Sequence, residues 1–298
     1  MIEARGLCCG RALAAPVEPS RCSVETAWAA GGGLINCRPS LLGVFPMLKR
    51  GLFALALSLS FSGAALAVPA DVAAGVAATG RPDTARQLDE VRRPVEVLGW
   101  LGLEQGDRVL DYFTGNGYYA EIMARAVGPQ GSVTGWNSPG FGTNERVRTA
   151  LAGIRERNSN AAFYHTPTTA ISLAPEAYDF VLLHLVYHDA YWESAQFNLP
   201  RIDPNTVTAA VFQATKPGGT VAVIDHVAAP GRETRAEVEA THRIDPSVIR
   251  ADFERAGFVF DGESDLLRNP QDDRSVNVFD PSIRGRTDRI VYRFRKPQ

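Results

Sequence analysis

A chain of 298 residues, 45% hydrophobic and 21% charged, is globular in composition, with material for one large domain or two small ones. Its formal net charge of -2 offers no bulk attraction to nucleic acid or an anionic membrane, and the oligomeric state stays open.

The first expected element is a targeting segment. Met47-Leu48-Lys49-Arg50 is basic, Gly51 to Ala65 is an apolar run, and Ala65-Leu66-Ala67 is an A-x-A site. This is the layout of a secretory signal peptide, with an apolar core short for a membrane span. A signal belongs at the start of a chain, so Met47 reads as the start and residues 1–46 as an over-extended gene start outside the fold. Cys8, Cys9, Cys22 and Cys37 all precede Met47, so the part from Val68 onward has no disulfide or thiol chemistry. The expectation is a signal peptide over 47–67 and a periplasmic or secreted protein, free of membrane after cleavage. An uncleaved membrane anchor and a buried core helix are the alternatives.

Residues 68–84 are Ala/Gly-rich and read as a loosely packed lead-in to a domain over 85–298. Leu88, Val91, Val95, Leu98 and Leu101 recur at helical spacing, and Pro94 predicts a kink or two helices. Gln105-Gly106-Asp107 is a turn, and Val109–Tyr112 the first strand. Asp111-Tyr112-Phe113-Thr114-Gly115-Asn116-Gly117 then runs from strand through a tight loop into a helix. That unit carries nucleotides in open α/β sheets. The helix has Tyr119, Ile122, Met123, Ala126 and Val127 on its core face and stops at Gly128-Pro129.

Gly131–Asn137 predicts a second strand, 144–157 a helix and Ala161–His165 a third strand. Tyr178–His184 is a continuous apolar run, as in a strand buried on both faces. Thr206, Ala209, Val211 and Phe212 mark a helix, Lys216-Pro217-Gly218-Gly219 a turn and Thr220–Asp225 a fifth strand. Residues 237–256 are helical with a break near Pro246. Gly257–Asp261 and Arg289–Arg295 are the last two strands. Strand and helix alternate throughout, which argues for an α/β fold with a parallel sheet covered on both faces.

Four features in this order resemble class I S-adenosylmethionine-dependent methyltransferases. They are Val109-Leu110-Asp111 with Gly115 and Gly117, Tyr178-Asp179-Phe180-Val181, Lys216-Pro217-Gly218-Gly219, and Ala256-Gly257-Phe258. More narrowly, Arg92-Arg93-Pro94, Gly117-Tyr118-Tyr119-Ala120-Glu121, His188-Asp189-Ala190-Tyr191-Trp192 and the closing segment from Arg289 look like a bacterial group of predicted methyltransferases with signal peptides. The resemblance implies a Rossmann-like seven-stranded, mostly parallel sheet with the last strand antiparallel and helices on both faces. It implies S-adenosylmethionine as cofactor and methyl transfer to a small-molecule acceptor. Carried over by position, Asp111, Phe113, Gly115, Asn116, Gly117 and Asn137 form the cofactor-binding set. Phe113 stands where the signature has its first Gly, and Asn137 where an acid holds the ribose hydroxyls.

His188 follows the fourth strand and suits a general base near neutral pH, with Asp189 or another carboxylate to orient it. Tyr187, Tyr191 and Trp192 are candidates for a substrate pocket. His226, His242 and Asp245 could converge with His188 on a metal, but no tight ligand spacing occurs, and no metal is expected. His184, inside the apolar strand, reads as structural. Two other readings stay open. One is a non-catalytic exported protein that binds a small ligand on this fold. The other is an NAD(P)-dependent oxidoreductase, because Gly115–Ala120 also fits G-x-G-x-x-A.

Overall fold

The computed structural model describes residues 67–298; the leader and the apolar run with its basic flank lie outside them. Within them, one seven-stranded sheet carries the architecture. Its strands are β1 Arg108–Tyr112, β2 Ser132–Asn137, β3 Ala161–His165, β4 Tyr178–His184, β5 Thr215–His226, β6 Val259–Ser264 and β7 Arg289–Arg295. The spatial order is β3-β2-β1-β4-β5-β7-β6. β1 to β5 pair in parallel, and β7 runs antiparallel to both β5 and β6. The expected sheet, with its reversed last strand, is the one observed.

The strand period of two divides the core between the two faces of this sheet. Val109 and Leu182 point to one face, against α4 (Pro94–Leu101), α5 (Tyr118–Ala126) and α7 (Glu145–Arg157). Leu110, Val181 and Leu183 point to the other, against α8 (Pro204–Ala214), α9 (Thr234–Thr241) and α10 (Pro246–Arg255). Apolar runs in β1 and β4 follow from this burial on both sides.

Three local outcomes differ from the sequence expectation. The stretch 68–84 is not loosely packed. Asp71 caps α1 (Val72–Ala77), accepting from the Ala74 N–H. α1 lies against α5 so closely that a Cβ on Gly75 would come within 2.5 Å of the Ile122 carbonyl oxygen. Glycine at that position lets two backbones touch. Around Pro94 the chain makes three short helices, α2 (Asp83–Arg86), α3 (Asp89–Arg92) and α4. Arg93, at φ 46°, turns the chain between the last two. Finally, β5 begins at Thr215, and the register shifts between Tyr178 and Phe180, so Lys216–Gly219 is a bulge within the strand rather than a turn before it.

Candidate functional site

The carboxyl ends of β1, β2, β4 and β5 meet at one edge, where open α/β sheets bind ligands. Asp111 ends β1 there and is buried, with its carboxylate accepting from the Thr114 hydroxyl at 2.6 Å. Burial pushes its carboxyl up to about 7. Phe113 takes a left-handed backbone at φ 61°, the conformation that a glycine adopts without strain. Its ring packs edge-on to Trp136 and Phe141. Gly117, at φ 79°, leads into α5, and any Cβ there would run into Ile154 and Leu151.

A cavity of about 310 Å³ opens beneath this loop. Asp111, Phe113, Gly115 and Asn116, from the expected cofactor-binding set, line it. Arg92, Tyr118, Tyr119 and His184 line it too. Gly117 and Asn137 act differently. Asn137 is fully buried, and its side chain grips one residue of the loop: Oδ1 accepts from the Gly115 N–H at 2.9 Å, and Nδ2 donates to the Gly115 carbonyl at 3.1 Å. Each end of its amide thus makes one hydrogen bond in shaping the loop. His184, at the end of the apolar strand, also reaches the cavity wall. Its Nε2 is buried without a hydrogen-bond partner among the described residues, and its ring packs edge-on to Tyr119. Burial holds its pKa well below the usual imidazole range, so it is neutral.

Beyond β4, a short 3₁₀ turn over Tyr187–Tyr191 carries the second group. His188 Nδ1 donates to Asp225 Oδ1 at 2.7 Å, and the His188 backbone N–H donates to Asp225 Oδ2 at 2.9 Å. Its Nε2 forms an ion pair with Asp189 Oδ1 at 3.4 Å. Burial alone would lower the pKa of this imidazole. The charges of Asp225 and then Asp189 outweigh it and raise the group to about 9. An imidazole raised in this way favours its protonated form at neutral pH. Burial pushes the Asp189 carboxyl up, and Asp189 lines a slot of about 20 Å³ with Tyr112, Phe113, Val186, Leu199 and Ile202. Asp225 is thus the other carboxylate that orients His188, and Asp189 lies between the ring and the slot.

The three aromatic candidates for a substrate pocket face neither compartment. The Tyr187 and Tyr191 hydroxyls both donate to Asp252 Oδ2, and Tyr187 packs on Phe253 of α10. Trp192 donates to Glu239 and packs against His242 and Phe197. Their phenol and indole groups find partners in the helices that cover the sheet, the common fate of buried Tyr and Trp. His226 Nδ1 pairs with the Thr287 hydroxyl and His242 Nδ1 donates to the Val238 carbonyl. Asp245 caps α10. Among the described residues no three His, Cys, Asp or Glu are arranged to hold a metal ion.

Sequence reasoning names neither Arg92 nor Asp225 as a site residue. Arg92 enters it only through the Arg92-Arg93-Pro94 segment, with no role attached. Asp225 has one usable signal, a carboxylate closing the apolar run Val221–Ile224 at the carboxyl end of a strand.

Known structures with a similar fold include an S-adenosylmethionine-dependent methyltransferase from Aquifex aeolicus, at 19% identity and TM-score 0.48, covering 72% of this chain and 97% of that one. A putative methyltransferase from Bacillus halodurans has 16% identity and TM-score 0.47, covering 72% and 100%. Phosphoethanolamine N-methyltransferase 2 from Haemonchus contortus, solved with S-adenosyl-L-methionine, has 14% identity and TM-score 0.49, covering 74% and 58%. No curated protein matches the chain. A family pattern described as a methyltransferase domain matches residues 103–256, from the turn before β1 to the end of α10. That span takes in the glycine loop, the cavity lining from Asp111 onward and the Asp225–His188–Asp189 group, and it sets the dinucleotide-dependent reading aside: the chain belongs to the methyltransferase-domain family.

Proposed function

We propose that this enzyme moves a methyl group from S-adenosylmethionine to an oxygen or nitrogen of a small-molecule acceptor presented beside Asp189. One observation carries the reading. Phe113 and Val186 line both the cavity beneath the glycine loop and the slot onto which Asp189 opens, so donor and acceptor compartments share a wall.

The cavity fits the amino-acid end of the donor. Its volume of about 310 Å³ lies in the range of small-molecule sites. Asp111 offers a carboxylate for the ammonium, and Gly115 and Asn116 bring backbone to the cavity wall without a bulky side chain. When bound, S-adenosylmethionine supplies a methyl group on a positively charged sulfur.

The chain's own contribution is positioning and proton removal. Asp189 takes the proton from the acceptor O–H or N–H as its lone pair engages the methyl carbon. A carboxyl raised by burial is the stronger base. The His188 imidazolium behind it stabilises the carboxylate, and Asp225 holds that imidazolium in place. The slot has room for about one water in the state described, so acceptor entry moves Leu199 and Ile202 aside.

The test is calorimetric titration of the purified chain with S-adenosylhomocysteine, the demethylated donor, and separately with NAD. Micromolar binding of the first alone supports the reading. Binding of NAD alone would overturn it. An acceptor screen then uses Asp189→Asn as the inactive control. The Met47–Ala67 segment supports export, and fractionation of cells expressing the full chain checks that inference.

A further inference from the structure

Apart from Asp189 and Thr168, the slot beside Asp189 is walled by aromatic and aliphatic side chains, chiefly Tyr112, Phe113, Val186, Leu199, Ile202 and Val207. No arginine, lysine or histidine among the described residues lines it. Burial and then the Asp189 charge push the Tyr112 phenol up, so it stays uncharged. Thr168 opens a single 3₁₀ turn, Thr168–Ala170, after β3. Pro167 holds that turn, its carbonyl accepting from the Ala170 N–H at 2.9 Å. Thr168 is buried, at 7% exposure, and its Oγ1 has no hydrogen-bond partner among the described residues. The neighbouring threonines differ. Thr166 Oγ1 accepts from the Trp136 indole N–H at 2.7 Å, and Thr169 is exposed.

A buried hydroxyl normally finds a partner, and in a helical turn a nearby backbone carbonyl often serves. An unpaired one in an apolar wall costs stability unless a ligand supplies the missing atom. The placement points to the acceptor. Thr168 follows β3 and Asp189 follows β4, strands on opposite sides of β1, yet both side chains line one slot. The Tyr112 and Phe113 rings in its wall suit a flat aromatic body. A negative charge on that body would find no cation there and would be repelled by Asp189. Leu199, which moves aside on entry, also lines an open surface pocket of about 440 Å³, so its displacement joins the slot to room for a small molecule.

We propose that Thr168 binds the acceptor, and that the acceptor is an uncharged aromatic molecule with two hydrogen-bonding groups, one methylated beside Asp189 and the other held by the Thr168 hydroxyl. This rests on the acceptor compartment proposed above. Thr168 thereby sets specificity, because an analogue with one such group leaves the hydroxyl unpaired.

The experiment is calorimetric titration of the full chain, and of Thr168→Val and Thr168→Ser, each first saturated with S-adenosylhomocysteine. The probes are catechol and resorcinol, with two hydroxyls on one ring, phenol, with one, and 3-hydroxybenzoate, with a charge. In the unaltered chain the better dihydroxy probe binds about 3- to 10-fold tighter than phenol, the span of one neutral hydrogen bond, and 3-hydroxybenzoate binds more weakly than phenol. Thr168→Val removes the difference and leaves phenol and S-adenosylhomocysteine unchanged. It also raises the thermal midpoint of the free chain, because a methyl replaces a hydroxyl that lacks a partner. Thr168→Ser keeps the difference. A lowered midpoint in Thr168→Val would show that the hydroxyl serves the fold and overturns the proposal. Weaker binding of S-adenosylhomocysteine by Thr168→Val moves the residue to the donor and overturns it too, as does tightest binding of 3-hydroxybenzoate. If the unaltered chain binds S-adenosylhomocysteine but no uncharged probe, the proposal falls and the donor reading stands. If it binds neither, both fall.

Discussion

The Asp225 carboxylate holds His188 by two atoms at once, accepting from the ring Nδ1–H at 2.7 Å and from the backbone N–H at 2.9 Å. It also accepts from the His226 backbone N–H at 2.8 Å. Because it is fully buried, these bonds replace the water it has lost. The clamp fixes both the orientation of the imidazole and the nitrogen that faces Asp189.

Asp225→Asn removes the charge and leaves the shape. The His188 pKa then falls from about 9 toward or below its ordinary 6.5, visible in an NMR titration of the ring protons. Breaking one partner of a buried charged pair costs about 3 kcal/mol, read as a lower midpoint in denaturant unfolding. A His188 titration still near 9 in Asp225→Asn would show that Asp225 does not set it.

The same group predicts a pH dependence of stability. The folded His188 binds its proton more tightly than the unfolded chain, with a pKa of about 9 against 6.5. Its stabilising contribution is therefore complete below about 6.5 and is lost as pH rises through about 9, on the order of 3 kcal/mol in all. Thermal melts of the unaltered chain fall between pH 7 and 10. Those of His188→Gln fall less over the same range.

At Phe113 the usual order of alanine and glycine is inverted. Both substitutions lose the ring contacts with Trp136 and Phe141. Only glycine relieves the left-handed backbone at φ 61°, a strain of about 1 kcal/mol or more for other residues. Phe113→Gly is thus more stable than Phe113→Ala by about 1 kcal/mol, measured by chemical denaturation.

Gly117→Ala fails for a steric reason as well as a backbone one. The new methyl would meet Ile154 and Leu151 of α7, at a φ of 79°. The expected loss is about 2 to 3 kcal/mol, from overpacking and left-handed strain together. A change under half of that in a melt would mean that α7 yields easily.

Asp111 makes donor binding depend on pH. Its carboxyl titrates at about 7, because burial disfavours its charge. A ligand ammonium binds the ionised form, so affinity for S-adenosylhomocysteine rises with pH up to about 7 and then levels. Below 7 the slope approaches about tenfold per pH unit. Calorimetry between pH 5.5 and 8 measures it, and Asp111→Asn flattens the curve.

The framework was readable in the sequence wherever the hydrophobic pattern was unambiguous. Tyr178–His184 declared a buried strand, and 144–157 a helix, which the structure shows over Glu145–Arg157 with Asn144 as its cap. The loop was readable because glycines at 115 and 117 mark positive φ, both confirmed. What stayed hidden depends on tertiary contacts. Asn137 has the residue type of a ligand-binding amide, and only the fold shows its amide spent on Gly115. The aromatic run after β4 has the composition of a pocket, yet Asp252, far along the chain, draws both tyrosines into helix packing. Thr168 is one threonine among three in its segment, and its lack of a partner is a fact about space.

The reversed strand β7 has a consequence for how the chain tolerates shortening. By running back along β5 it pairs Ile290 with Asp225 and Arg289 with His226, and it delivers the Thr287 hydroxyl to the His226 ring. Thr287 and β7, distant in sequence from β5, are thus the scaffold of the Asp225 clamp. A nascent chain halted before Arg289 carries every residue of the donor cavity's lining and still leaves the β5 end without its cross-strand partner.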